Sequence, residues 1–121
     1  MARPIVAVRE DDPDIRAAME LCLGDWGYQS FAGADSADLA AALAGAGSPV
    51  RAIIADAHLS GGETVFDALA KLAAALAGAP VLIVTATLPM EKRAEAVAAG
   101  YALMAKPVDA ARLRTWLLRH V

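Results

Sequence analysis

Cysteine is almost missing from this chain. Cys22 is the only one among 121 residues. An internal disulfide is therefore excluded, and the usage points to a reducing compartment. Cys22 itself lies in an apolar helical stretch and reads as a packing residue, not a nucleophile. An excess of basic charge is also lacking: 11 Lys and Arg face 14 Asp and Glu, a net of −3. General nucleic-acid binding is excluded on that ground, because it needs a basic surface to release counterions. The one basic cluster, Arg112, Arg114 and Arg119, reads as a solvated helix face. No segment has the composition of a linker, and no repeat recurs at a fixed period. The first residues do not read as a signal peptide, since the apolar run Ile5 to Val8 is short and ends at Arg9. An uncharged stretch from Leu72 to Met90 is long enough to span a bilayer, but Gly78, Ala79 and Pro80 divide it. The expectation is a cytoplasmic chain with neither a membrane span nor direct nucleic-acid contact.

What is present is apolar. Hydrophobic residues make up 58% of the chain, which excludes intrinsic disorder. The length suits a single domain over residues 1–121, able to bury its core without disulfides or a structural metal. Four short apolar runs read as buried strands: Ile5–Val8, Arg51–Ala55, Val81–Val84 and Ala102–Ala105. A weaker strand covers Tyr28–Ala32. Helices fill the gaps. Asp12 and Pro13 open the first, with Ile15, Ala18, Met19, Cys22 and Leu23 on one face. Asp35 or Ser36 caps the second, which runs to about Ala44. The others cover Val65–Leu76, Glu91–Ala99 and, capped by Asp109, a last stretch to about His120. Five β-α repeats predict an α/β fold, a parallel sheet covered by helices on both faces.

In such sheets, ligands bind beyond the carboxyl ends of the strands. Here those ends carry polar groups. The first strand is followed by Glu10, Asp11 and Asp12, the third by Asp56, the fourth by Thr85 and the fifth by Lys106. If these strands are neighbours, the groups converge in one crevice. Two carboxylates ~5 Å apart repel by roughly 3 kcal/mol at an effective dielectric of 20. Three need compensating cations. Lys106 supplies one, and Mg²⁺, a hard cation suited to carboxylates, water and phosphate, would supply the rest. One carboxylate could then attack phosphorus while cations and a hydroxyl stabilise the phosphoryl oxygens.

The opening Glu10-Asp11-Asp12-Pro13-Asp14-Ile15-Arg16, the loop Asp56-Ala57-His58-Leu59-Ser60-Gly61-Gly62, the strand Val81 to Ala86 and the pair Lys106-Pro107 together resemble the receiver domain of bacterial two-component response regulators. The resemblance covers essentially the whole chain. It implies a flavodoxin-like, five-stranded parallel sheet of order 2-1-3-4-5. It also implies that Asp56 accepts a phosphoryl group from the phosphohistidine of a histidine kinase or histidine phosphotransfer protein. Glu10, Asp11 and Asp56 would hold Mg²⁺ with the main-chain carbonyl of His58, and Asp12 would chiefly cap the helix. Lys106 and Thr85 would bond phosphoryl oxygens, with Thr85 reporting modification to a partner surface on helix four, strand five and helix five. The implied activity is a switch that catalyses only its own phosphorylation and dephosphorylation.

Three positions depart from the family's pattern. Ser60 stands where Pro is common. Thr64 stands where Gly is common, and the expectation is that Gly61-Gly62 takes over the left-handed backbone. Leu103 stands where the fifth strand normally carries Tyr or Phe, with Tyr101 two residues before it. This last departure keeps a second reading open, a non-phosphorylated interaction module on the same fold. A haloacid-dehalogenase-type phosphohydrolase is disfavoured, because its nucleophile follows the first strand as Asp-x-Asp. A stand-alone receiver and a receiver taken from a longer protein, such as a hybrid histidine kinase, both remain open.

Overall fold

A computed structural model describes residues 3–57, 62–87 and 89–121. Ten elements alternate: β1 (Ile5–Arg9), α1 (Pro13–Asp25), β2 (Gln29–Gly33), α2 (Ser36–Leu43), β3 (Val50–Asp56), α3 (Val65–Leu76), β4 (Val81–Thr85), α4 (Met90–Ala98), β5 (Ala102–Ala105) and α5 (Ala110–His120). The five strands are all parallel and lie in the order β2-β1-β3-β4-β5. This is the flavodoxin-like arrangement expected.

Strand alternation sorts the apolar residues into two cores. Ile5 and Ala7 of β1 join Ile53, Ile83, Leu39, Leu69 and Leu72 under α2, α3 and α4. Val6 and Val8 join Ile54, Leu82, Met19, Leu23, Leu113 and Leu117 under α1 and α5. A strand buried on both faces must be apolar at every position, which is why β1 reads as a run without alternation. On α5, Leu117 enters the core while Leu118 remains exposed. The uncharged stretch 72–90 resolves into the end of α3, a turn and β4. Ala77 and Gly78 take left-handed backbone there, at φ 49° and 80°. Among the described residues no helix is long and apolar enough to cross a membrane.

The caps follow the sequence closely. The Asp12 carboxylate accepts from the Asp14 and Ile15 amides, Asp35 from Asp38, and Asp109 from Arg112. Thr64 and Asp67 form a reciprocal capping box that starts α3. Thr64 therefore needs no unusual backbone, at φ −79°. Among the described residues of this loop Gly62 is left-handed, at φ 83°, two residues before Thr64 and within the Gly61-Gly62 pair expected to take this role. Gly33 has a different reason to be glycine. A Cβ there would run into the main chain of Asp38 and Leu39 at the start of α2.

Two expectations need correction. β1 does not stop at Val8 but includes Arg9, which pairs in register with Gly33 and Ala55. On α1, Met19 and Leu23 are buried as expected, but Ile15 and Ala18 are exposed. The helix turns only one edge of its apolar face to the sheet. The other edge faces a groove of about 550 Å³ beside α5.

Candidate functional site

The carboxyl ends of β1, β3, β4 and β5 form one edge of the sheet, and the expected polar residues gather there. The β3–β4 register pairs Asp56 with Val84, and the β4–β5 register pairs Thr85 with Ala105. Main-chain bonds extend the ladder past the strand ends, from the Lys106 amide to the Thr85 carbonyl and from the Ala57 amide to the Val84 carbonyl, each at 2.8 Å. Lys106 is thereby locked beside Thr85, and the Lys106-Pro107 peptide is cis. The Arg16 guanidinium donates to the Glu10 carbonyl at 2.8 Å, tying α1 to the turn that carries the acidic residues.

Glu10, Asp11 and Asp56 each offer an oxygen, and these oxygens lie within 4.8 Å of one another. The Lys106 ammonium sits 3.0 Å from Asp56 Oδ1 and 3.8 Å from Glu10 Oε1. Glu10, Asp56 and Thr85 are buried, at 3%, 5% and 8% exposure; Asp11 is half-buried. Glu10, Asp11, Asp12, Asp14, Asp56 and Lys106 line a cleft of about 440 Å³ open to solvent. Asp12 itself is engaged in capping α1, in agreement with the role expected of it. The carbonyl of His58 lies outside the described residues.

The electrostatics show a site short of positive charge. Burial, then the hydrogen bond and charge of the adjacent Asp56 carboxylate, pushes the Glu10 carboxyl up to about 8, and Lys106 only partly offsets this. The second Glu10 oxygen, Oε2, is buried with no hydrogen-bond partner among the described residues. An orphaned carboxylate oxygen is costly to bury. Three hard oxygens close together, with an orphaned oxygen on Glu10, fit a divalent cation such as Mg²⁺.

Sequence reasoning missed two members of the neighbourhood. Arg9, taken as the charge that ends a strand, is buried at 2% exposure and donates to the Asp56 carbonyl at 2.8 Å. Glu63, in the loop before α3, pairs with Arg9 at 3.3 Å. The available signal was the position of Arg9: a guanidinium directly after four apolar residues of a central strand has to find buried partners.

No curated protein matches the chain. Solved structures do. The Vibrio cholerae chemotaxis protein CheY4 is 26% identical, with a TM-score of 0.84 over 99% of this chain and 100% of that one. A response regulator receiver protein from Pseudomonas putida superposes at 0.85, with 21% identity over 98% of each chain. The receiver domain of the sensor histidine kinase PA1611 from Pseudomonas aeruginosa, whose structure holds a magnesium ion in the active-site cleft, superposes at 0.78. Its identity is 24% over 98% of each chain. The model of the response regulator receiver domain matches residues 6–118. With that match added to the sheet order and the acidic strand-end cluster, the chain belongs to the receiver-domain family of two-component signalling.

Proposed function

We propose that residues 1–121 act as one phosphoacceptor switch in which Asp56 takes a phosphoryl group from a phosphohistidine in a Mg²⁺-dependent transfer. The observation that carries this reading is the placement of Asp56. It is buried at a strand end, 3.0 Å from the Lys106 ammonium, inside a cluster of three carboxylates whose oxygens lie within 4.8 Å. Glu10, Asp11 and Asp56 would hold the ion, with the His58 carbonyl as a further ligand. When bound, the ion neutralises the carboxylates and supplies positive charge toward the phosphoryl oxygens.

The chain's own groups divide the remaining work. An Asp56 carboxylate oxygen attacks phosphorus as the P–N bond to the donor imidazole breaks. The bonding pair leaves with the ring nitrogen, and because the other ring nitrogen carries a proton the imidazole departs neutral. Lys106 follows the charge from the carboxylate onto a phosphoryl oxygen. Thr85 donates its hydroxyl to another, and so senses modification from the end of β4. Hydrolysis of the acyl phosphate later restores Asp56. The donor is a histidine kinase or histidine phosphotransfer protein. The apolar groove that adjoins the cleft, lined by Ile15, Met19, Cys22, Trp26 and Leu113, supports docking of a donor helix beside Asp56.

The output partner would read the surface of α4, β5 and α5, where Met90, Val97 and Leu118 are exposed at 81%, 67% and 68%. Only Ala96 of α4 is buried, so few contacts oppose a shift of that helix. The localisation that suits this activity is cytoplasmic.

The test is intact-mass spectrometry after incubation with Mg²⁺ and acetyl phosphate. One phosphoryl adduct is expected on the wild type, with none when Mg²⁺ is withheld and none on Asp56→Ala. No adduct under any condition, together with no binding of fluoroberyllate, would replace this reading with a constitutive interaction module.

A further inference from the structure

Among the described charged residues, Arg9 is the most deeply buried, at 2% exposure. By strand alternation it faces the same side as Ile5 and Ala7, toward α2 and α3, and it does not line the acidic cleft. Its guanidinium instead approaches Asp56 from behind. Nη1 donates to the main-chain carbonyl of Asp56 at 2.8 Å, and Nη2 donates to Glu63 Oε1 at 3.3 Å.

Glu63 is itself held from three sides. Its Oε1 accepts the Ser36 amide at 3.1 Å, and its Oε2 accepts the Ser36 hydroxyl at 2.5 Å and the Lys71 ammonium at 3.1 Å. Ser36 is the first residue of α2, and Glu63 precedes the Thr64 cap of α3. A planar guanidinium with fixed donors thus spans from the peptide of Asp56 to the starts of two helices. Core packing alone gives no reason for a cation here, since the other four residues of β1 are apolar and fully buried.

We infer that Arg9 is a positioning residue for Asp56: anchored by Glu63, it fixes the carbonyl of Asp56 and so the direction in which the Asp56 carboxylate meets Lys106 and the phosphoryl group. This rests on the phosphoacceptor reading above. In-line transfer depends on that direction, and a displacement of about 1 Å can cost about a hundredfold in rate. Arg9 does not line the acidic cleft, so its removal should slow transfer and leave ion binding nearly unchanged.

The experiment compares the wild type with Arg9→Met, Arg9→Lys and Glu63→Gln. Labelling of Asp56 by acetyl phosphate is followed by intact mass, Mg²⁺ affinity by calorimetry, and folded fraction by circular dichroism. Arg9→Met should label about tenfold more slowly or worse, with a Mg²⁺ dissociation constant within about twofold of the wild type. Glu63→Gln keeps one acceptor oxygen but loses the charge and the other acceptor, so it should fall between wild type and Arg9→Met. A role in stability alone would lower the melting midpoint and leave the rate of the folded fraction intact. Wild-type labelling by folded Arg9→Met therefore overturns the inference. If Arg9→Met does not fold, Arg9→Lys and Glu63→Gln carry the test. Each should be slowed by about threefold or more, and wild-type rates in both overturn it. A wild type that neither labels nor binds fluoroberyllate removes the phosphoacceptor reading itself, and the inference with it; slowing confined to the variants leaves that reading standing.

Discussion

Glu10 and Glu63 lie on opposite sides of the same strand end, yet their carboxyls are driven in opposite directions. Glu10 is pushed up to about 8, first by burial and then by the Asp56 carboxylate beside it. Glu63 also loses solvent, which raises it, but hydrogen bonds from Ser36 and Lys71 outweigh that loss and take it down to about 2. The second region is closed electrostatically: every neighbour of Glu63 named above is a donor or a cation. The first is open: among the described residues three carboxylates cluster, and Lys106 pairs with two of them. A closed network of this kind holds a loop in place. An open one stores unfavourable charge that a ligand can relieve, which is the usual condition of a site that does chemistry.

The strongest way to break the contrast is Asp56→Asn. It removes the charge and hydrogen-bond partner that help raise Glu10, and it removes the proposed nucleophile. Labelling should vanish completely, while the metal-free protein becomes more stable at pH 8 by about 1 kcal/mol through relief of like-charge repulsion. Denaturant unfolding checks the second effect. A destabilised Asp56→Asn would mean that Asp56 is chiefly a structural partner of Lys106.

The next effect sharpens the contrast through pH. Glu10 binds its proton more tightly folded than unfolded. Its contribution is therefore fully present below its unfolded value of 4.5 and is lost as pH rises toward about 8. Metal-free protein should lose about 1–3 kcal/mol from this group across that window. Mg²⁺ competes with the proton, so its affinity should grow toward pH 8. At a hundred times its dissociation constant it should return about 2.7 kcal/mol. Melting curves with and without Mg²⁺ at pH 6 and pH 8 measure both. An equal Mg²⁺ effect at the two pH values would contradict the raised Glu10.

Much of this was readable without coordinates, for physical reasons. Ile5–Val8 and Val81–Val84 are uncharged and β-branched because both faces of a central parallel strand are buried, and such runs are hard to mistake. Asp12, Asp35 and Asp109 announce helix starts through local chemistry that needs no tertiary context. Glu10, Asp11, Asp56 and Lys106 come together because topology places strand ends side by side. The failures are those where tertiary geometry decides. The position of Arg9 signals buried partners, but nothing local identifies the glutamate 54 positions away that it reaches. Nor does helical periodicity say that Ile15 and Ala18 look into a groove instead of the sheet, since that depends on how closely α5 approaches.

On the closed side, the expected effects are smaller. Glu63 has a depressed carboxyl, so it stabilises the fold above its unfolded value of 4.5, and that contribution is lost as pH falls toward about 2. Glu63→Gln should cost about 1–3 kcal/mol at pH 7, because the buried Arg9 loses its counter-charge. The difference from the wild type should shrink on acidification below pH 4. Lys71→Ala should cost least. Its ammonium touches the same carboxylate but is 64% exposed, so solvent screening leaves it worth under about 0.5 kcal/mol, less still in high salt. If Lys71→Ala were as damaging as Glu63→Gln, the closed network would depend on its exposed member. The pair of Arg9 and Glu63 could then no longer be regarded as the part that fixes the peptide of Asp56.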